Sequence, residues 1–154
     1  MTQPAIQLMV FRRNGQVLVT PWALSDTGFD ALHELIPVGP ERDGLLKALE
    51  LGESHARAAS KRPLDKRFPT GTPYWQQAGC KTYEQFARGA NAISIVRDDE
   101  LTELAYQVPD DRGALVALDD AEMRGLAVAL GPGTPMTDVA GAVQQIFEAA
   151  DRRG

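Results

Sequence analysis

The run AIQLMVFRR at residues 5–13 is followed by Asn14-Gly15 and then by QVLVTPW at 16–22. Asn-Gly tolerates positive φ at both central positions of a two-residue turn, and the flanking runs are rich in β-branched and aromatic residues. The pattern predicts a hairpin with strands near 5–12 and 16–22, which commits the start of the chain to antiparallel pairing. SDTG at 25–28 supplies turn chemistry. FDALHELIPV at 29–38 supplies a third strand, which Pro37 confines to a sheet edge or a strand end.

From Glu41 to about Ala59, residues Leu45, Leu46, Leu49, Gly52 and Ala56 recur on one helical face. Residues 60–74 carry three prolines and a glycine with no apolar period, and read as a surface loop. TYEQFARGA at 82–90 reads as a short helix with Tyr83, Phe86 and Ala87 on one side and Gly89 as its stop signal. NAISIVR, ELTELAYQV, GALVAL and RGLAVAL read as extended runs, and a last helix occupies roughly 135–150. The expectation is an α+β fold over residues 1–154: one domain, with a mainly antiparallel sheet of about six strands packed by two or three helices. No period of 20–50 residues repeats, and no linker divides two cores.

Several functions are disfavoured by composition. Cys80 is the only cysteine among 154 residues, so an intrachain disulfide is impossible and a cytoplasmic protein is expected. The N-terminus lacks a basic leader ahead of an apolar run, and no apolar stretch approaches membrane-spanning length. A net charge of −5 repels phosphate backbones, so no direct nucleic-acid binding and no membrane partner are expected.

LGPGTPMTDVAGAV at 130–143 has the layout of strand, glycine-rich loop and helix start. It lacks the lysine and spacing of a nucleotide-binding phosphate loop. Residues 131–136 also fail the GxGxxG pattern, and Pro132 and Pro135 remove amides that would face an anion. A tight turn at Gly131–Gly133, a cap at Thr134 and Pro135 at the first helical position explain it instead. Val139, Val143, Ile146, Phe147 and Ala150 then form an apolar stripe. His33 and His55 have no metal-ligand spacing, Cys80 has no local histidine partner, and no GxSxG occurs. No residue is nominated as a catalyst; the chain reads as a non-enzyme with no cofactor and no metal.

Charge is the strongest remaining signal. Asp98, Asp99, Glu100, Glu103, Asp110, Asp111, Asp119, Asp120 and Glu122 are opposed within 98–122 only by Arg112, a local charge of −8. Between 57 and 67, Arg57, Lys61, Arg62, Lys66 and Arg67 oppose only Asp65, a local +4. Three readings of the acid compete: solvated turns, a divalent-metal site, and a docking face for a basic partner. Trp22, Tyr74 and Trp75 are candidate anchors for such a face, with core-edge packing as the alternative.

VLVTPWALSDTGF at 17–29 and FPTGTPYWQQAGCKTYEQFARGANAISI at 68–95 resemble the immunity proteins of bacterial contact-dependent growth inhibition systems. The matching residues are Val19, Thr20, Pro21, Asp26, Gly28 and Phe29, then Lys81, Thr82, Tyr83, Phe86, Arg88, Gly89 and Ala90. The similarity covers about the first two thirds of the chain and weakens after residue 96. It implies a cytosolic protein that binds the C-terminal toxin domain of its own strain's effector, usually a nuclease, and blocks it without catalysis. It also implies fold roles for Phe86 as core plug, Gly89 as helix stop, and Arg88 as the partner of a carboxylate. On this reading the acidic residues and the three aromatics meet a basic toxin domain. The rivals are an effector chaperone or adaptor, and a small metal-dependent enzyme using the 98–122 carboxylates. Oligomeric state is left open.

Overall fold

A computed structural model describes residues 4–68, 71–119 and 124–153. β1 (Ile6–Arg13) and β2 (Gln16–Ser25) form the expected hairpin, with Asn14 at φ 52° and Gly15 at φ 76° in its turn. β1 pairs on its other edge with β5 (Ala90–Arg97), which pairs with β6 (Thr102–Pro109). Two short strands, β7 (Leu115–Ala117) and β8 (Ala127–Leu130), share the outer edge of β6. At the opposite margin β3 (Gly28–Ala31) and β4 (Ile36–Pro37) share the outer edge of β2. Every pairing is antiparallel. The path of six strands runs β3-β2-β1-β5-β6-β7.

The third expected strand is therefore split. Trp22 faces Ala31 and Val19 faces Ile36, so five steps along the edge oppose three along β2. The two surplus residues form a bulge, with His33 in the left-handed region at φ 57°. Pro37 lies on the edge, where its missing N–H costs no ladder bond.

Alternation sorts the strands' side chains onto two faces. Leu8, Val10, Val19, Ile93, Ile95, Leu104 and Tyr106 pack beneath α1 (Gly44–Ser60) and α4 (Met136–Arg153), which supply Leu49, Val139, Val143 and Ile146 to the larger core. α1 lies close to the sheet because Gly52 has no side chain: a Cβ there would stand 3.1 Å from Leu8 and 3.3 Å from Val19. Arg97 ties the layers together through an ion pair to Glu53 on α1 (2.9 Å) and a hydrogen bond to the Thr134 carbonyl before α4 (2.6 Å). Thr134 itself donates to the Gly131 carbonyl, locking the turn that the glycine-rich stretch was expected to make.

The other face carries Met9, Phe11, Leu18 and Ala92. These pack against the one-turn α2 (Tyr74–Gln77) and against α3 (Tyr83–Arg88). Thr82 caps α3 by accepting from the Gln85 N–H. The loop expectation for 60–74 holds only in part: residues 64–66 form a 3-10 turn, and Tyr74 opens α2. Arg67 pins the segment by donating to the carbonyls of Leu24, Ser60 and Arg62.

Candidate functional site

The three aromatic candidates converge. Tyr74 is 2% exposed, sits 6.2 Å from Trp22 and 5.2 Å from Trp75 between ring centres, and stacks on Phe11. Phe86 closes the cluster from below at 4.9 Å from Phe11 and 5.5 Å from Tyr74. Phe86 is thus the core plug that the family resemblance implies, and Tyr74 is a core residue. Trp22 and Trp75 remain partly exposed. The Trp22 indole N–H donates to the Thr20 hydroxyl at 2.8 Å, which fixes the ring.

Above this cluster lies an open cleft of about 570 Å³, lined by Trp22, Asp30, His33, Tyr74, Trp75 and Tyr83 among others. The bulge brings His33 into it. The imidazole stacks on Tyr74 at 5.9 Å and meets Trp75 edge-on at 5.7 Å, while Gln77 donates to the His33 carbonyl at 2.6 Å. The Nδ1 atom of His33 is buried and makes no hydrogen bond among the described residues. Burial holds the hydroxyls of Tyr74 and Tyr83 above the ordinary tyrosine pKa, so both rings are neutral at physiological pH.

His33, Asp30 and Tyr83 were not foreseen as members of a site. One trace of the bulge is legible: Ala31 and Leu32 are consecutive and both buried, so the strand alternation slips by one residue just before His33. His55, the other histidine, pairs through Nδ1 with Glu34. Cys80 is buried in the aromatic core.

The acidic candidates fall into separate groups. Asp98 accepts from the N–H groups of Glu100 (2.8 Å) and Leu101 (2.9 Å), and Asp110 from those of Arg112 (2.8 Å) and Ala114 (2.9 Å). Both carboxylates build the turns at the two ends of β6, eight residues or roughly 25 Å apart. Asp99 and Glu100 are exposed at the first turn, and Asp111 at the second. Glu103 is exposed on the face of β6 turned away from α1 and α4, and Asp119 is exposed between β7 and β8. Asp120 and Glu122 lie outside the described residues.

The backbone amides of Ala114 and Arg112 hold Asp110 below its ordinary pKa, helped by the nearby charges of Arg112 and Arg88. Arg88 also donates to the main-chain carbonyl of Asp111 at 3.3 Å, so it braces this turn. Gly89 ends α3 at φ −95°, which is not left-handed. A Cβ added at Gly89 would stand 3.4 Å from Arg13 Nε, an ordinary contact, so neither its backbone conformation nor its surroundings demand glycine. Among the described residues, no three His, Cys, Asp or Glu side chains are placed to share a metal ion, and no helix is long and apolar enough to cross a membrane.

These features define a small α+β protein with two helices on one sheet face and an aromatic cleft on the other. The same fold occurs in a chain of the CdiA-CT/CdiI toxin and immunity complex from Yersinia pseudotuberculosis, at a TM-score of 0.64 and 11% identity over 96% of this chain and 98% of that one. It also occurs in a protein of unknown function from Neisseria meningitidis, at a TM-score of 0.63 and 11% identity over 97% of each chain. No protein-family model matches the chain, and no curated protein matches it significantly.

Proposed function

We propose that this chain is an immunity protein of a contact-dependent growth inhibition system, acting in the cytoplasm on the C-terminal toxin domain of its own strain's effector. The observation that carries the reading is the fold shared, end to end, with a chain of a toxin and immunity complex. The matching segments at 17–29 and 68–95 support it. Their described residues contribute to the hairpin exit, the aromatic cluster and α3.

The mechanism is stoichiometric occlusion without turnover. A nuclease toxin presents Lys and Arg to its phosphate substrate, so an acidic protein attracts it and competes for the same groove. The chain's charge of −5 supports a basic partner of this kind.

Co-expression with the C-terminal domain of a neighbouring large effector gene tests the reading. The expected result is a co-purifying complex in which the toxin's nuclease activity is silenced at equimolar ratio. A complex with full nuclease activity would identify a carrier, and the absence of any complex would remove the immunity reading.

A further inference from the structure

We infer that the aromatic cleft is a receptor for a guanidinium group, supplied by an arginine side chain of the partner protein. The partner's identity rests on the immunity reading, whereas the chemistry of the cleft does not.

Ring faces carry the negative part of the aromatic quadrupole and attract a cation laid over them, and a planar guanidinium also stacks on them. Here the partly exposed rings of Trp22, Trp75 and Tyr83 border one concavity, with Tyr74 buried beneath them and stacked on Phe11 and His33. Their orientation is fixed by edge-on contacts, at 81° between Tyr74 and Trp75 and 71° between Trp75 and Tyr83. Among the described lining residues, Asp30 carries the one formal charge, and it is exposed. A carboxylate beside a ring cluster suits a fork of N–H donors.

The alternatives fit less well. An apolar occupant would desolvate Asp30 without pairing it, and an anion would meet a carboxylate and negative ring faces. His33 lines the same cleft, its carbonyl held by the Gln77 side chain.

The chain has two tryptophans, both at the cleft, so indole N–H resonances give a direct readout with the intact protein. N-acetylarginine amide is titrated against the uncharged citrulline analogue and the lysine analogue at matched ionic strength. The expected result is a saturable shift of both indole signals by the arginine probe in the millimolar range. The citrulline probe should bind about fivefold or more weakly, and Asp30→Asn should weaken arginine binding by a similar factor. Because Asp30 is exposed on an edge strand, its unchanged thermal midpoint serves as the folding control. No saturable shift, equal binding of citrulline or lysine, or an indifferent Asp30→Asn variant would overturn the assignment. The readout contains no toxin. A negative result therefore removes the cleft's ligand and leaves the immunity reading standing, whereas failure to capture a toxin domain removes that reading and leaves the cleft's chemistry.

Discussion

Asp110 and Gly113 show how single residues hold the turn between β6 and β7. Gly113 is at φ 78°, and an added Cβ would meet both Arg88 Nε and Glu84 Cβ at 3.1 Å. Gly113→Ala therefore combines left-handed strain with a contact against a braced arginine and a helix, and should lower stability by about 1–3 kcal/mol in urea unfolding. Asp110 acts through its charge as well as its shape. Its carboxylate is stabilised in the folded chain, so its folded pKa lies below the ordinary 3.8. A depressed carboxylate contributes stability that is present above the unfolded pKa and lost as pH falls through the folded value. Asp110→Ala should flatten the acid limb of the stability curve below about pH 4. A variant whose urea midpoint falls with pH as steeply as wild type would contradict the assignment.

Among the elements, α3 depends most on one side chain. Phe86 is fully buried, contacts Phe11 and Tyr74 edge-on, and lies under the Arg13 guanidinium. Phe86→Ala should cost about 3–5 kcal/mol. Because it removes the floor of the aromatic cluster, it should also weaken the near-ultraviolet circular dichroism of the tryptophans, which a substitution confined to the opposite core would spare. The elements readable from sequence are those whose cause is local. Asn14-Gly15 fixes the hairpin, and the apolar stripes fix α1 and α4 to within a few residues. α2 is not readable in this way: it is a single turn after Pro73, held by contacts of Tyr74 to Phe11 and Phe86 that are distant in the chain. The bulge at His33 leaves only the consecutive apolar Ala31 and Leu32 as a local trace, and its two surplus residues emerge from the pairing of β2 with both β3 and β4. Of the candidate site, Trp22 and Trp75 are legible as aromatics suited to a partly exposed position, but their convergence with Asp30 and His33 is a product of tertiary folding.

For the whole molecule, the placement of charge decides how a basic partner would approach. Carboxylates close in sequence are separated by the length of β6, so one end can sit at an interface while the other acts only through its field. Asp98 and Asp110 are unsuitable probes because each builds a turn. Glu100 and Glu103 report on one end of β6, and Asp111 with Glu84 on the other, all four being exposed. Paired Glu-to-Lys or Asp-to-Lys reversals at either end make the same change in net charge. Both should slow association with the toxin domain at low salt, by about tenfold, and both effects should shrink as salt screens the field. Only the end that touches the partner should also raise the dissociation rate, because salt screens a direct interaction inside the complex far less than it screens the long-range field. Measured by stopped-flow association and competitive dissociation, an effect on association at one end and none at the other would contradict long-range steering. Unchanged dissociation for both pairs would place the interface away from the two ends of β6, and the same dissociation measurement on Asp30→Asn would then ask whether the aromatic cleft touches the partner.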